Sequence, residues 1–123
     1  MHDVLSIKNQ VYNFGPVTAS INADPIDTYK GGIVDVPDAS RETNHLVSIT
    51  GWGFDQEQNI PFWIVRNSWG NFWGEQGFFR IKMGENQINI EGNCAWAQVG
   101  TVSENNDWGS DQTQELLNVD YVE

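Results

Sequence analysis

The sequence predicts an α+β fold with a short N-terminal helix and an antiparallel sheet that is curled or barrel-like. One stretch of helical periodicity opens the chain, and several short β-type runs follow it at close spacing. At 123 residues and 13.9 kDa, the chain is long enough for one domain with a modest core. A hydrophobic content of 39% and 12 glycines are typical of a compact, turn-rich domain.

The first predicted elements are a helix, a strand and a short helical turn. Apolar residues recur at helical spacing over residues 3–14, with Asp3 as the predicted N-cap and Gly15 as the stop. Residues 17–23 form a β-type run. The dipeptide Asp24-Pro25 then predicts a single helical turn, with the aspartate as cap and the proline first inside.

The remaining predicted strands are separated by polar or glycine-rich loops. A double-glycine turn at residues 31–32 leads into an extended piece, and residues 84–92 are expected to form a polar connection. The β-type runs alternate or cluster apolar and aromatic side chains, and they cover residues 46–53, 62–67, 77–83 and 95–102.

An acidic tail follows the last predicted strand. The sequence predicts a folded domain over residues 1–102 and a tail over residues 103–123, which hold six of the 17 acidic residues and no Lys or Arg. We expect the tail to be coil, with Leu116-Leu117 and Tyr121-Val122 as docking points if it returns to the domain. The formal net charge of −11 disfavours nucleic acids and anionic membrane surfaces as partners.

Targeting and membrane signals are not expected in this sequence. No apolar run reaches the roughly 18 residues that a membrane-spanning helix needs. The start of the chain lacks the basic and then apolar pattern of a signal peptide.

Two short blocks carry the candidate chemistry. The first is Asn44-His45-Leu46-Val47, which opens a strand, and the second is W-I-V-R-N-S-W-G over residues 63–70. Taken singly, a histidine at a strand start is more often structural, an asparagine at a strand end is usually a turn former, and a tryptophan cluster is usually core. The order and the neighbours of these residues together favour a catalytic interpretation.

Both blocks resemble the C-terminal half of the papain-like cysteine peptidases, the cathepsins. The segments Gly15-Pro16-Val17, Tyr29-Lys30-Gly31-Gly32-Ile33 and Gly77-Phe78-Phe79-Arg80-Ile81 match the family as well. Within the family, Asn44-His45 and Ile90-Glu91-Gly92-Asn93-Cys94 most resemble the cathepsin X, or cathepsin Z, group. The resemblance covers roughly residues 4 to 100 and implies a papain-like half-domain.

The resemblance implies roles for individual residues. His45 is the imidazole that pairs with a thiolate and later protonates the leaving amine, and Asn67 orients its ring through a side-chain oxygen. Trp69 is expected to cover the hydrogen bond between them and to meet substrate on the leaving-group side. By the same resemblance, Asn44 offers backbone contacts to a peptide substrate, and Leu46 and Ser20 line the main side-chain pocket. Neither a metal nor another cofactor is implied.

The nucleophile of the family is missing from this sequence. It belongs to a Cys-Gly-Ser/Ala-Cys-Trp/Tyr signature that this chain lacks, so the chain alone is not expected to hydrolyse peptides. One interpretation is the His/Asn half of an exopeptidase-like, lysosomal or secreted enzyme that needs a Cys-bearing half from another chain. A second is an inactive peptidase-like subunit that binds other protein subunits, and a third is a fragment without independent function.

The single cysteine, Cys94, leaves two alternatives open. The family resemblance implies a disulfide-type position whose partner lies outside this sequence. The other alternative is a buried, reduced thiol that behaves as a small hydrophobic side chain.

Overall fold

The computed structural model describes residues 3–97 and 119–122. It has one α-helix, α1 (Val4–Phe14), and two short 3₁₀ turns, Asp24–Ile26 and Gln87–Asn89. The described strands are β1 (Val17–Ile21), β2 (Ile33–Val34), β3 (His45–Asp55), β4 (Ile60–Arg66), β5 (Phe78–Lys82), β6 (Cys94–Ala97) and β7 (Val119–Val122). The predicted α+β class is confirmed.

Helix α1 begins and ends where the sequence predicts. The Asp3 carboxylate accepts a hydrogen bond from the Ser6 backbone N–H at 2.7 Å, which satisfies one of the free donors at the helix start. Gly15 has a φ of 103° and donates its N–H to the Val11 carbonyl at 3.0 Å, closing the last turn. Ile7 lies on the buried side of the helix.

The seven described strands form one open sheet in the order β2-β5-β4-β3-β1-β6-β7. The described strands pair antiparallel except β2 and β5, which are parallel. A tight hairpin would force neighbouring strands to be antiparallel. Because β3 and β4 lie between β2 and β5 in the chain, no hairpin joins them, and they can pair in parallel. In this order β2 and β7 are the edge strands, so the described sheet is not closed into a barrel.

Alternation along the central strands separates a core face from an outer face. Val17, Ala19 and Ile21 of β1 are buried, whereas Thr18 between them is exposed. The same alternation buries residues of β3, β4 and β5, among which Trp63 is the largest fully buried side chain. Helix α1 and the segment after β5 complete the core, which contains Ile7, Val17, Ala19, Ile21, Ile26, Val47, Ile49, Trp63, Val65, Phe79, Ile81, Ile88 and Ile90.

The segment after β5 was expected to be a polar connection, and that prediction is wrong. Ile88 and Ile90 are fully buried, and Glu91 is only 3% exposed. The Glu91 carboxylate accepts hydrogen bonds from Trp63 Nε1 at 2.8 Å and from the Gly84 and Asn86 backbone N–H groups at 2.6 and 2.8 Å. These three donors hold the segment against β4, because a buried carboxylate is stable only when its oxygens are hydrogen-bonded.

Two further predictions need correction. Ala23, and not Asp24, occupies the N-cap of the first 3₁₀ turn, and Asp24 is the first residue inside it. The Asp24 carboxylate does not cap the turn and instead accepts a hydrogen bond from Asn44 Nδ2 at 3.2 Å. The predicted coil over the acidic tail is wrong at Val119–Val122, which pairs with β6. The proposed return of the tail at Tyr121-Val122 agrees with this pairing. The boundary after Val102 and Leu116-Leu117 lie outside the described residues.

No helix in the described parts of the chain is long and apolar enough to cross a bilayer.

Candidate active site

Strands β3 and β4 bring together the two candidate catalytic side chains. His45 is the first residue of β3, and Asn67 directly follows the last residue of β4, its antiparallel neighbour. Although the residues are 22 positions apart, His45 Nε2 lies 2.7 Å from Asn67 Oδ1. The structure thus places the predicted pair within hydrogen-bond distance.

The backbone after Asn67 determines the proton arrangement of this pair. The Ser68 N–H, which can only donate, gives Asn67 Oδ1 a second hydrogen bond at 2.8 Å. Asn67 Oδ1 is therefore an acceptor, so His45 Nε2 must carry a hydrogen and donate a hydrogen bond to it. In the neutral ring this leaves Nδ1 unprotonated, so that it can accept a proton from another group.

The orientation of the Asn67 side chain leaves its amide nitrogen, Nδ2, without a hydrogen-bond partner among the described residues. Asn67 is 7% exposed, and its Nδ2 is buried with no hydrogen-bond partner among the described residues. A buried donor without a partner costs free energy, typically about 1–3 kcal/mol. This orientation of the amide keeps Asn67 Oδ1 hydrogen-bonded to His45 although Nδ2 is left unpaired. Unsatisfied buried polar groups of this kind often occur at functional sites.

Two tryptophans cover the hydrogen-bonded pair. The Trp69 ring stacks on the His45 ring with centroids 5.1 Å apart and an interplanar angle of 26°. Trp73 meets Trp69 edge-on at 5.2 Å. An apolar cover lowers the local dielectric and so strengthens the bond between His45 and Asn67.

An ion pair holds the loop that carries these tryptophans. Arg80 of β5 donates from Nε and Nη2 to the two carboxylate oxygens of Glu75, at 2.9 and 2.8 Å. Glu75 also accepts the Gly32 N–H at 3.1 Å. The hydrogen bonds from Arg80, more than any other contact, hold the pKa of Glu75 below its ordinary value.

We expect Glu75→Gln to lower the free energy of unfolding by about 1 kcal/mol at neutral pH, because the pair is partly solvent-screened. The pKa of Glu75 is lowered on folding, so its contribution is complete above the ordinary value of 4.5. The contribution is lost as the pH falls through the lower folded value. Urea unfolding at about pH 7 and about pH 3 measures this.

The exposed turn residue Glu57 provides the control for this measurement, since Glu57→Gln should change stability at neither pH. An effect of Glu75→Gln that is equally large at both pH values would contradict the assigned contribution.

The other predicted site residues meet at an open depression beside His45. Its volume is about 500 Å³, and its lining consists of Ser20, Thr43, Asn44, His45, Leu46 and Ser68. Ser20, Asn44 and Leu46 are thus brought to the candidate base, whereas Trp69 lies on the His45 ring and not in this lining. The sequence analysis missed Thr43 and Ser68, whose only signal is their position next to Asn44 and Asn67.

Asn44 is held by contacts within the chain. Its backbone N–H donates to the Ile21 carbonyl at 2.8 Å, and its side-chain oxygen accepts the Ala23 N–H at 2.9 Å. Both groups are therefore occupied, and a backbone contact from Asn44 to a ligand would have to use its carbonyl.

The family assignment follows from a match over most of the chain. Residues 1–98 match the sequence model described as "Papain family cysteine protease". This chain belongs to the papain family. The papain-like half-domain expected from the two sequence blocks is thereby confirmed.

Several relatives and solved structures show the extent of the similarity. The chain is 39% identical over 99 residues to cathepsin Z of Onchocerca volvulus, covering 74% of this chain and 32% of that protein. It is 38% identical over 104 residues to cathepsin B-like cysteine proteinase 3 of Caenorhabditis elegans, covering 82% and 28%. This chain therefore spans about a third of the length of the curated relatives it matches.

The structure of this chain also resembles solved structures of papain-like peptidases. Digestive procathepsin L2 of Tenebrio molitor superposes with a TM-score of 0.67 at 32% identity, covering 73% of this chain and 29% of that one. Bromelain of Ananas comosus, solved with the E64 inhibitor, gives a TM-score of 0.65 at 29% identity over 72% of this chain and 42% of that one.

Cys94, the only cysteine of this papain-family chain, is not part of the depression beside His45. It is 0% exposed in the core, and its thiol donates to the Ile90 carbonyl at 3.4 Å. Burial raises the pKa of the Cys94 thiol to about 12, and the nearby Glu91 adds to the rise. This burial favours the reduced thiol over a disulfide whose partner lies outside this sequence.

We expect Cys94 of the folded chain to react with a thiol reagent at least about 10³-fold more slowly than the same thiol in urea, because the thiolate is the reactive species. Reaction with an aromatic disulfide reagent, followed by absorbance, measures both rates. Rapid labelling of the native chain, or a mass shift showing a mixed disulfide in the isolated protein, would contradict the buried-thiol assignment.

Proposed function

We propose that this chain is the His/Asn-bearing half of a papain-family cysteine peptidase that hydrolyses peptide bonds. The observation that carries the proposal is the 2.7 Å contact between His45 Nε2 and Asn67 Oδ1 under the Trp69 ring. An imidazole oriented by a neutral amide is the arrangement that a thiol nucleophile needs from its base.

In the proposed reaction, His45 Nδ1 accepts the proton of a cysteine thiol, and the resulting imidazolium stabilises the thiolate. The thiolate attacks the substrate carbonyl, and His45 then donates its Nδ1 proton to the leaving amine, which leaves the acyl group on the sulfur as a thioester. A water molecule, deprotonated by His45 Nδ1, attacks this thioester, and the acid product leaves as the sulfur departs as the thiolate beside the imidazolium. Asn67 Oδ1 accepts the hydrogen bond from Nε2–H throughout, so that the ring keeps its orientation without an added negative charge. Trp69 excludes water from this bond.

A peptide substrate would lie along the depression beside His45. Leu46 and Ser20 would contact a substrate side chain, and Asn44 would use its carbonyl, since its N–H is occupied. The face of Trp69 that is not stacked on His45 would meet the leaving-group side. The similarity of residues 44–45 and 90–94 to the cathepsin X, or Z, group supports an exopeptidase-like specificity.

The nucleophile would come from a Cys-bearing half that this sequence does not contain. That half would belong either to the same polypeptide or to a separate chain, since this chain spans about a third of its relatives. The only cysteine here, Cys94, is buried away from the depression, so it does not supply the thiolate. By family resemblance, the enzyme would act in lysosomes or after secretion.

A chimera tests the proposed function. The segment of Onchocerca volvulus cathepsin Z that this chain matches is replaced by residues 1–123, and hydrolysis of a fluorogenic peptide is followed. We expect thiol-dependent hydrolysis that an epoxide inhibitor of cysteine peptidases abolishes. A folded chimera without any hydrolysis would instead favour an inactive, peptidase-like subunit that binds other proteins.

In this chimera, Asn67→Ala is expected to lower kcat by about 10- to 100-fold, because the base remains but its orientation is lost. KM should change much less than kcat. Asn59→Ala in the turn between β3 and β4 is the matched control and should leave both constants unchanged. Wild-type kcat in the Asn67→Ala chimera would contradict the positioning role.

A further inference from the structure

The Trp69 ring that covers His45 is held in place by packing. Trp69 is 38% exposed, and it makes no hydrogen bond within the described residues. Its ring contacts there are the His45 ring, 5.1 Å away, and the Trp73 ring, which it meets edge-on at 5.2 Å. The position of Trp69 over the imidazole therefore depends on what holds Trp73.

Trp73 packs against aromatic side chains from two other parts of the fold. Phe79 of β5 is fully buried, and its ring centroid lies 5.8 Å from that of Trp73. The Tyr29 ring lies 5.3 Å from Trp73, at an interplanar angle of 39°. Tyr29 belongs to the connection between the first 3₁₀ turn and β2, so it joins a separate segment of the chain to residues 67–77, the tryptophan loop.

The Tyr29 ring is itself fixed against the tryptophan loop. Its hydroxyl donates a hydrogen bond to the Gly32 carbonyl at 2.6 Å, and the Gly32 N–H donates to the Glu75 carboxylate of the loop at 3.1 Å. A Cβ atom added to Gly74 would lie 3.1 Å from two carbons of the Tyr29 ring, so this ring packs directly on the loop backbone. Burial raises the pKa of Tyr29 to about 12, so the hydroxyl remains a donor at neutral and mildly alkaline pH.

We propose that Tyr29 is a positioning residue for His45, because its ring holds Trp73 and, through it, the Trp69 cover on the imidazole. The proposal rests on the proposed function, since it adds a residue to the same site. Tyr29 does not line the depression beside His45, so its effect must pass through the two tryptophans. Displacing a catalytic group by about 1 Å can cost about 10²-fold in rate, so such a support matters although it touches no reacting atom.

The test follows the proton resonances of the His45 ring by NMR in the isolated full chain. The stacked Trp69 ring shifts these resonances upfield, and Trp69→Leu gives their position without this shift. We expect Tyr29→Leu to move the His45 resonances more than half of the way to the position seen in Trp69→Leu. The chain has two histidines, so His45→Ala identifies the signals.

Two controls separate positioning from a general loss of stability. Tyr29→Phe removes the hydroxyl but keeps the ring, so the His45 resonances should stay close to the wild-type position. Ile7→Ala removes a fully buried side chain of helix α1 and lowers stability, but it should leave these resonances unchanged. Tyr29→Met fills the same space with a flexible side chain and replaces Tyr29→Leu if that variant does not fold.

In the cathepsin Z chimera, the same substitution should affect the reaction. We expect Tyr29→Leu to lower kcat by about tenfold, with a smaller change in KM, because the base is less well oriented. The conservative variant Tyr29→Phe should retain most of the wild-type kcat.

The outcomes separate this inference from the proposed function. His45 resonances that stay at the wild-type position in Tyr29→Leu, or that move as far in Tyr29→Phe or Ile7→Ala, would overturn the positioning role. Moved resonances with a wild-type kcat in the Tyr29→Leu chimera would overturn it as well. A wild-type chimera without hydrolysis would contradict the proposed function, while the resonances would still decide whether Tyr29 holds Trp69 over His45.

Discussion

Replacing His45 with alanine is expected to lower kcat/KM of the cathepsin Z chimera by at least about 10³-fold. In the proposed reaction, the imidazole is both the base that forms the thiolate and the acid that protonates the leaving amine, and each contribution is typically 10²- to 10⁴-fold. Asn67 Oδ1 lies 2.7 Å from His45 Nε2, and the Trp69 and His45 ring centroids are 5.1 Å apart, so both side chains hold the imidazole in place. The loss should appear in kcat more than in KM, because the ring acts on the reacting atoms.

Two controls make the His45→Ala result interpretable. Glu57→Ala changes an exposed turn residue far from the depression and should leave kcat/KM unchanged. The urea midpoint of the His45→Ala chimera should also remain close to that of the wild type, which excludes unfolding as the cause. Turnover within about tenfold of the wild type would rule out His45 as the catalytic base.

Replacing Glu91 with alanine is expected to lower the free energy of unfolding of the isolated chain by about 3–5 kcal/mol. The change leaves three donors without their acceptor. They are Trp63 Nε1 and the backbone N–H groups of Gly84 and Asn86, which the carboxylate binds at 2.6–2.8 Å. The buried Trp63 donor left without a partner costs about 1–3 kcal/mol, and the loss of the two part-buried backbone hydrogen bonds adds to this cost. Since domains of this size are stable by about 5–15 kcal/mol, this is a large share.

A double-mutant cycle isolates the contact between Glu91 and Trp63. Trp63→Phe removes the indole donor, so Glu91→Gln should cost less in that background than in the wild type. Chemical denaturation of the four proteins, followed by circular dichroism, gives the coupling free energy, which we expect to be about 1–2 kcal/mol. Additive effects would show that the 2.8 Å contact contributes no stability.

The site was predictable because its signals are local and occur as ordered blocks. His45 and Asn67 are 22 positions apart, but each lies in a block whose strand pattern and glycines predict the turns around it. Their meeting follows from the antiparallel pairing of β3 with β4, which the chain order favours. The proton arrangement was not predictable, since it depends on the Ser68 N–H.

The errors occur where distant residues decide the local structure. The connection after β5 looks polar in sequence, yet Glu91 is buried because Trp63, 28 positions away, provides a donor for its carboxylate. Asp24 is of a residue type that often caps helices, but its carboxylate binds the side chain of Asn44, which is 20 positions away. The pairing of β7 with β6 likewise depends on the register between the two strands. The pattern of apolar and polar residues in the tail does not determine this register.

The central claim is that a cysteine from outside this sequence acts with His45 and Asn67. The most direct measurement is to isolate the native assembly that contains this chain, label it with a thiol-reactive epoxide, and identify the labelled residue by mass spectrometry. We predict a single label on the nucleophilic cysteine of a Cys-Gly-x-Cys signature, in the same polypeptide or in a co-purified chain. An assembly of unrelated proteins without any label would contradict the claim and show that His45 and Asn67 serve no peptidase.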